Sequence, residues 1–188
     1  MSDANTRRWN DVLLGAALFA IAPLAFQGVH LRSRPGPAQE FWLDYLSSVI
    51  GLDRSFRRLP ASVSGERLLG GTDLAATLSS GKRVHRDGIL TECDGNVVIT
   101  PMADRMDLNT ICILASAFDM KQVRIEREGT SASLPAKFAL IAIDEHDENE
   151  DKIHPILSDR LSICLDLEGF SLNDLRIESF TLEQIEAA

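Results

Sequence analysis

Gly28-Val29-His30-Leu31-Arg32-Ser33-Arg34-Pro35-Gly36-Pro37-Ala38-Gln39-Glu40-Phe41-Trp42 is the stretch that decides the fold. Gly28 to Leu31 reads as a short strand. Arg32 to Pro37 is a turn-rich segment whose prolines can continue neither a ladder nor a helix. From Ala38 to Ile50, residues Phe41, Trp42, Leu43, Tyr45, Leu46 and Ile50 recur at helical spacing and leave Gln39, Glu40, Asp44 and Ser48 for another face. Strand, Gly/Pro loop and helix follow each other within little more than twenty residues.

That layout is the one in which backbone N–H groups wrap phosphates while a lysine and a hydroxyl residue hold the terminal phosphate and magnesium. Laid on the frame G-x-x-x-x-G-K-[ST], the loop runs from Ser33 to Glu40. Ser33 stands at the first glycine with Arg34 after it, Gly36 falls in the middle and Ala38 takes the second glycine. Gln39 replaces the lysine and Glu40 the hydroxyl residue. A carboxylate at that point repels phosphate, Gln39 brings no compensating charge, and Pro35 and Pro37 each remove a donor. The expectation is a degenerate site that binds ATP weakly or not at all.

Working outward, the other parts of such a site are missing too. An ATPase needs an acidic pair after its second apolar strand, to hold magnesium through water and polarise the attacking water. After Val97-Val98-Ile99 come Thr100 and Pro101 instead. The run Phe138 to Ile143 reads as a strand covered on both faces. Beyond it, where a polar sensor residue is wanted, stand Asp144 and Glu145, which donate nothing to phosphate when ionised. Asp73 to Leu78 is a short helix closed by Gly81, and Asp107 to Met120 carries a helical stripe. Val123 to Glu128 and Ser131 to Leu134 form a hairpin about Gly129, and Leu161 to Leu167 offers a further strand. Alternating strands and helices indicate an α/β fold with a mainly parallel sheet.

Composition narrows the partners. With 45% hydrophobic and 25% charged residues in 188, the chain suits one globular core. A formal charge of −9 excludes nucleic acid as a natural partner, since an acidic surface repels a polyanion. Cys93, Cys112 and Cys164 lack CxxC spacing and read as small buried apolar residues in a reducing compartment. The apolar run Val12 to Phe26 is read as a buried helix broken near Pro23 rather than a signal peptide or membrane span, because Asp3 and Asp11 precede its core and it is short for a bilayer.

Other features carry less. Asp144 to Asp151 is an acidic stretch without calcium-loop spacing and reads as a solvated loop. His30 and His85 have no partner at metal-ligand spacing, so no metal is expected. Arg54, Arg57, Arg58 and Arg67 read as solvated charges, with contact to an acidic partner as the alternative.

Several segments in order resemble the AAA+ domain of magnesium chelatase: Gly28 to Pro37, Arg67-Leu68-Leu69-Gly70-Gly71-Thr72-Asp73-Leu74, and Asp87-Gly88-Ile89-Leu90. Glu126-Arg127-Glu128-Gly129, Leu134-Pro135-Ala136-Lys137-Phe138 and Leu157-Ser158-Asp159-Arg160-Leu161 are similar to that family's hairpin, sensor strand and arginine-bearing segment. The D subunit matches best, since many D subunits have lost the phosphate loop and acidic pair that the I subunit keeps.

The resemblance implies a P-loop NTPase-like AAA+ core with a β-hairpin insertion. Residues 1–27 are expected to form a helical segment packed on the core, 28–170 the degenerate AAA+ α/β domain, and 171–188 a linker and the start of a truncated helical lid that is largely missing. It also implies a non-hydrolysing platform in a ring-on-ring assembly with the I subunit, coupling ATP hydrolysis to the H subunit, which inserts Mg2+ into protoporphyrin IX on the way to chlorophyll or bacteriochlorophyll. No cofactor is expected on this chain, although the complex uses ATP and Mg2+. The family's D subunit continues into a lid, a linker and an integrin-like domain, so the chain reads as a fragment or a truncated chain, cytoplasmic and ring-forming at full length. Arg160 is the candidate trans-acting arginine, reaching a neighbour's nucleotide; the alternative is a surface ion pair with Asp159 or Asp166. Two further readings stay open: an ATPase that uses Arg34 or Arg32 in place of the lysine, and a regulatory interaction module on a decayed phosphate-loop fold.

Overall fold

The computed structural model describes residues 3–51, 54–82, 84–127, 130–146, 152–170 and 174. At its centre lies β8 (Ala139–Asp144), six residues buried throughout. β8 pairs with β1 (Gly28–Arg32) on one side and β5 (Val97–Thr100) on the other, while β9 (Ile163–Asp166) and β2 (Phe56–Arg58) close the edges. The order is β2-β5-β8-β1-β9, and every pair is parallel. Parallel strands survive only when both faces are covered, which is why β8 has no polar alternation until its last residue.

The two faces bury separate clusters, and the period of two assigns residues to them. Val29, Leu31, Val97, Ala139, Ile141 and Ile143 join one cluster with α1 (Asp3–Ile21) and α3 (Pro37–Val49), which supply Trp9, Leu13, Phe19, Trp42 and Leu46. Val98, Leu140 and Ala142 join the other, with α7 (Leu108–Met120) supplying Ile111, Leu114 and Phe118. His30 and Asp144 therefore fall on the α7 side. The indole Nε1 of Trp42 donates to the Val12 carbonyl at 3.2 Å and pins α3 to α1. Pro23 opens a separate turn, α2 (Pro23–Phe26), which ends the first helix at Ile21 as the sequence leads one to expect.

Asp107 caps α7 by accepting from the Thr110 N–H at 3.0 Å, and Asp73 caps α5 (Leu74–Ser80) in the same way before Gly81 ends it in the left-handed region. Just before α5, α4 (Gly65–Leu69) leads into β3 (Gly70–Thr72), which pairs antiparallel with β4 (His85–Asp87) on the far side of α5, followed by the short α6 (Ile89–Glu92). The backbones cross so closely there that a Cβ at Gly88 would lie 2.2 Å from the Leu68 carbonyl oxygen. A second hairpin joins β6 (Gln122–Arg127) to β7 (Thr130–Pro135). A four-residue helix, α8 (Pro155–Ser158), precedes β9.

Three sequence expectations are corrected. Cys93 is buried, but Cys112 and Cys164 are exposed, because one sits on the outer face of α7 and the other on an edge strand. The acidic stretch does not begin as a solvated loop: Asp144 ends the central strand and is buried, as is His146, while 147–151 lie outside the described residues. Strand β2 was not foreseen, since its charged Arg57 and Arg58 sit on an open edge and give no apolar run. Most of 171–188, where a lid was expected to start, also lies outside the described residues. Among the described residues no helix is long and apolar enough to cross a membrane.

Candidate functional site

All five strands end at one edge, and open α/β sheets place ligands beyond such carboxyl ends. The loop from β1 to α3 emerges there. Ser33 is buried and its N–H donates to the Asp144 carbonyl at 2.9 Å. The Arg34 N–H donates to Glu168 Oε1 at 3.1 Å, so a carboxylate of this chain sits on the loop. The Glu40 N–H donates to the Gly36 carbonyl, and Pro35 and Pro37 have none. Two prolines and three engaged donors leave three of the eight positions from Ser33 to Glu40, and Pro37 interrupts those three. A phosphate nest needs successive N–H groups turned inward. Gln39, at the lysine position, turns its amide back to the Ser33 carbonyl at 3.2 Å, and Glu40 stands exposed in the first turn of α3.

The loop's arginines are spoken for as well. Arg34 lies 3.7 Å from Glu168, Arg32 lies 3.8 Å from Asp166, and Arg8 of α1 reaches Asp166 and the Glu168 carbonyl, the latter at 2.6 Å. Arg8 also lies over the Phe170 ring, 4.6 Å from its centroid. The segment after β9 is thereby strapped across the loop by its own ion pairs. A nucleoside triphosphate with magnesium does not fit these residues: the anion positions hold carboxylates, and the cations that could compensate already face them.

At the end of β5, Thr100 is fully buried with its hydroxyl oxygen unpartnered, and Pro101 is buried beside it. The carboxylate close to this turn is Asp104, and it is engaged: it accepts the Glu145 N–H at 3.0 Å and lies 3.5 Å from the Arg105 guanidinium. Burial, and then the Asp104 charge, push the Glu145 carboxyl above its ordinary value.

Asp144, at the sensor position, is tied down rather than poised. His30 Nε2 lies 3.0 Å from its Oδ2, and the ring Nδ1 and backbone N–H of His146 converge on its Oδ1. Burial would raise this carboxyl, but the two histidine hydrogen bonds outweigh it and hold the group well below the usual carboxylate range. Cys164 Sγ lies 3.7 Å from His30 Nδ1, and burial, then Asp166 and Asp144, push its thiol up. This network escaped the sequence reading because its members are 114 and 134 positions apart; a histidine inside an apolar strand was the available signal.

Arg160 lies away from that edge, just after α8. Its Nε and Nη2 clasp the two oxygens of Asp119 at 2.9 and 2.6 Å, and Nη1 donates to the Ile156 carbonyl at 2.5 Å. The ion-pair partner is therefore Asp119, in the last turn of α7, and neither Asp159 nor Asp166. The pairing lowers the Asp119 carboxyl and raises the guanidinium, each chiefly through this hydrogen bond. Among the described residues no group of three or more His, Cys, Asp or Glu side chains is arranged to hold a metal ion.

This geometry can be set beside known proteins. The chain is 35% identical over 151 residues to the magnesium-chelatase 60 kDa subunit of Rhodobacter capsulatus, covering 80% of this chain and 24% of that protein. It is 33% identical over 181 residues to the 60 kDa subunit of Cereibacter sphaeroides, covering 96% and 29%. It belongs to the magnesium-chelatase subunit family. Within that family it matches the 60 kDa subunits at higher identity than the 38 kDa subunit of Cereibacter sphaeroides, to which it is 26% identical over 88% of this chain and 50% of that one. The chain spans about a quarter of the length of the large subunits it matches.

No family model matches the chain. Among solved structures, one of the complex between subunits BchI and BchD of magnesium chelatase superposes with a TM-score of 0.61 at 17% identity, covering 84% of this chain and 58% of that one. A candidate ATPase from Cytophaga hutchinsonii gives 0.59 at 15%, covering 91% and 54%. These likenesses show the fold, an AAA+ core whose sheet is mainly parallel and flanked by helices.

Proposed function

We propose that this chain is a platform of magnesium chelatase that does not hydrolyse ATP, assembling with the ATPase I subunit so that turnover there drives Mg2+ insertion into protoporphyrin IX by the H subunit. The observation that carries the reading is the Arg34 N–H bonded to the Glu168 carboxylate in a loop that has two prolines. A loop with two prolines, one N–H held by the chain's own carboxylate and its remaining N–H groups interrupted by Pro37 lacks the successive donors that wrap a phosphate. Partnership with an I-type subunit is supported by the likeness to the BchI–BchD assembly and by the match to the 60 kDa subunits. In this reading the chain binds no cofactor, and Arg160 acts in trans on nucleotide held by the neighbour. In the same reading the chain works in the cytoplasm, and the match to magnesium-chelatase subunits supports a place in chlorophyll or bacteriochlorophyll synthesis. An ATPase that uses Arg32 or Arg34 is disfavoured, since both lie against Asp166 and Glu168.

The test is a calorimetric titration of the chain with ATP and Mg2+, alone and with an active I-type subunit whose turnover is followed. No heat of binding for the chain alone, together with altered turnover by the partner, supports the proposal. Tight binding and turnover by the chain alone would overturn it.

A further inference from the structure

We infer that Asp119 is a positioning residue, fixing the direction in which Arg160 leaves this chain to meet an anion on a neighbouring AAA+ subunit. The inference rests on the trans role proposed above for Arg160 and adds the group that aims it. A guanidinium has five N–H donors in a rigid plane. Two are spent on Asp119 and one on the Ile156 carbonyl, which leaves two, one on each terminal nitrogen. The side chain is 30% exposed, so those two donors belong to a group within reach of solvent and of a docking surface. Asp119 therefore restrains the arginine without exhausting it.

Restraint of this kind has a chemical use. An arginine that swings freely loses rotamer entropy when it engages an oxyanion, whereas one already held loses less for each bond it makes. The two anchors come from different helices: Asp119 from the last turn of α7 and the Ile156 carbonyl from α8. The plane of the guanidinium is thus set by the packing of α7 on α8, in the body of the domain, rather than by the loop that carries Arg160. Arg32 and Arg34, at the sheet edge, lie 3.8 and 3.7 Å from their carboxylates, longer contacts than the fork on Asp119, and Arg34 is more exposed. An Asp119→Asn side chain has nearly the same shape but turns an NH2 group toward a guanidinium N–H, donor against donor, and forces the plane off its axis.

The experiment follows ATP turnover of an active I-type subunit with and without this chain, resolving kcat from KM, for the parent and for Arg160→Ala, Asp119→Asn, Asp119→Glu and the double variant Asp119→Asn/Arg160→Ala. Each variant's melting curve and its binding to the partner are measured alongside. The expected result is that Arg160→Ala abolishes the chain-dependent change in kcat. Asp119→Asn reduces it by about tenfold to a hundredfold, the range that misplacement of a reacting group produces. KM for ATP and affinity for the partner stay unchanged, Asp119→Glu recovers part of the effect, and the double variant is no worse than Arg160→Ala. If Asp119→Asn lowers only the melting temperature while kcat is retained, Asp119 is a structural tie and the inference fails, although the trans role of Arg160 stands. If Arg160→Ala leaves kcat unchanged, or the chain never alters the partner's turnover, the trans role proposed for Arg160 fails and the inference with it.

Discussion

Two corners of the molecule carry arginine–carboxylate pairs, and they use them differently. At the sheet edge, Arg8, Arg32 and Arg34 face Asp166 and Glu168 over a loop with two prolines and three engaged N–H groups. At the α7–α8 corner, a single arginine is clasped in a two-point fork and still has two donors left. The first arrangement closes a site by supplying the ligand from within the chain. The second holds a group in one orientation without closing it. The same pair of residue types thus makes loose contacts across a loop in one place and a two-point fork between two helices in the other. What separates them is geometry, three loosely spaced contacts against one bidentate contact.

The largest test of this contrast concerns what anchors the closed edge. Asp144→Ala leaves the buried His146 and the half-buried His30 without their shared acceptor and should cost about 3–5 kcal/mol, read from urea unfolding. Because the folded Asp144 carboxyl titrates below its unfolded counterpart, its contribution is complete above about pH 4 and is lost as pH falls toward the folded value. Asp144→Asn should therefore flatten the acid limb of the stability profile. A steep limb that survives in this variant would mean other carboxylates hold the edge.

A smaller effect is expected at the hairpin crossing remote from both corners. Gly88→Ala sets a Cβ against backbone at 2.2 Å and should destabilise by about 1–3 kcal/mol through a forced shift, with Arg160-dependent coupling intact. Loss of that coupling would show that the arginine corner is not autonomous. Asp107→Ala removes the cap of the helix that carries Asp119. It should cost about 1 kcal/mol and lower Tm by roughly 2–4 °C.

The smallest expected effect is none at all. Gln39→Lys combined with Glu40→Ser restores the two chemical side chains of a phosphate loop, yet calorimetry should still detect no ATP binding, because Pro35, Pro37 and the Arg34–Glu168 bond remain. Binding in this variant would show that the side chains, rather than the spent backbone, had closed the loop.

Much of the fold was legible in one dimension. The β1–loop–α3 unit, the buried strand ending near Ile143, the helix opened by Asp107 and the hairpin of β6 and β7 follow from apolar period, caps and prolines, which are local properties. The edge strand β2 was not legible, because at three residues its two arginines mask the pattern. For the site, the sequence offers an expectation of absence: Gln39, Glu40, Thr100 and Pro101 stand where a phosphate loop and an acidic pair would place their chemical side chains. What stands there instead was not legible, since Asp144 looked like the start of a solvated acidic run and His30 like a stray polar residue in a strand.

By itself, then, the sequence determined that a strand, turn and helix with the outline of a phosphate loop lack its lysine, its hydroxyl residue and both its glycines, because backbone permissiveness and charge are properties of single residues. The tertiary structure decided where the remaining charges go. Pairs 114, 134 and 41 positions apart, His30 with Asp144, Arg34 with Glu168 and Arg160 with Asp119, are made only when β1, β8, β9 and α7 come together. An ion pair has no period along the chain, so its partner is chosen by packing alone.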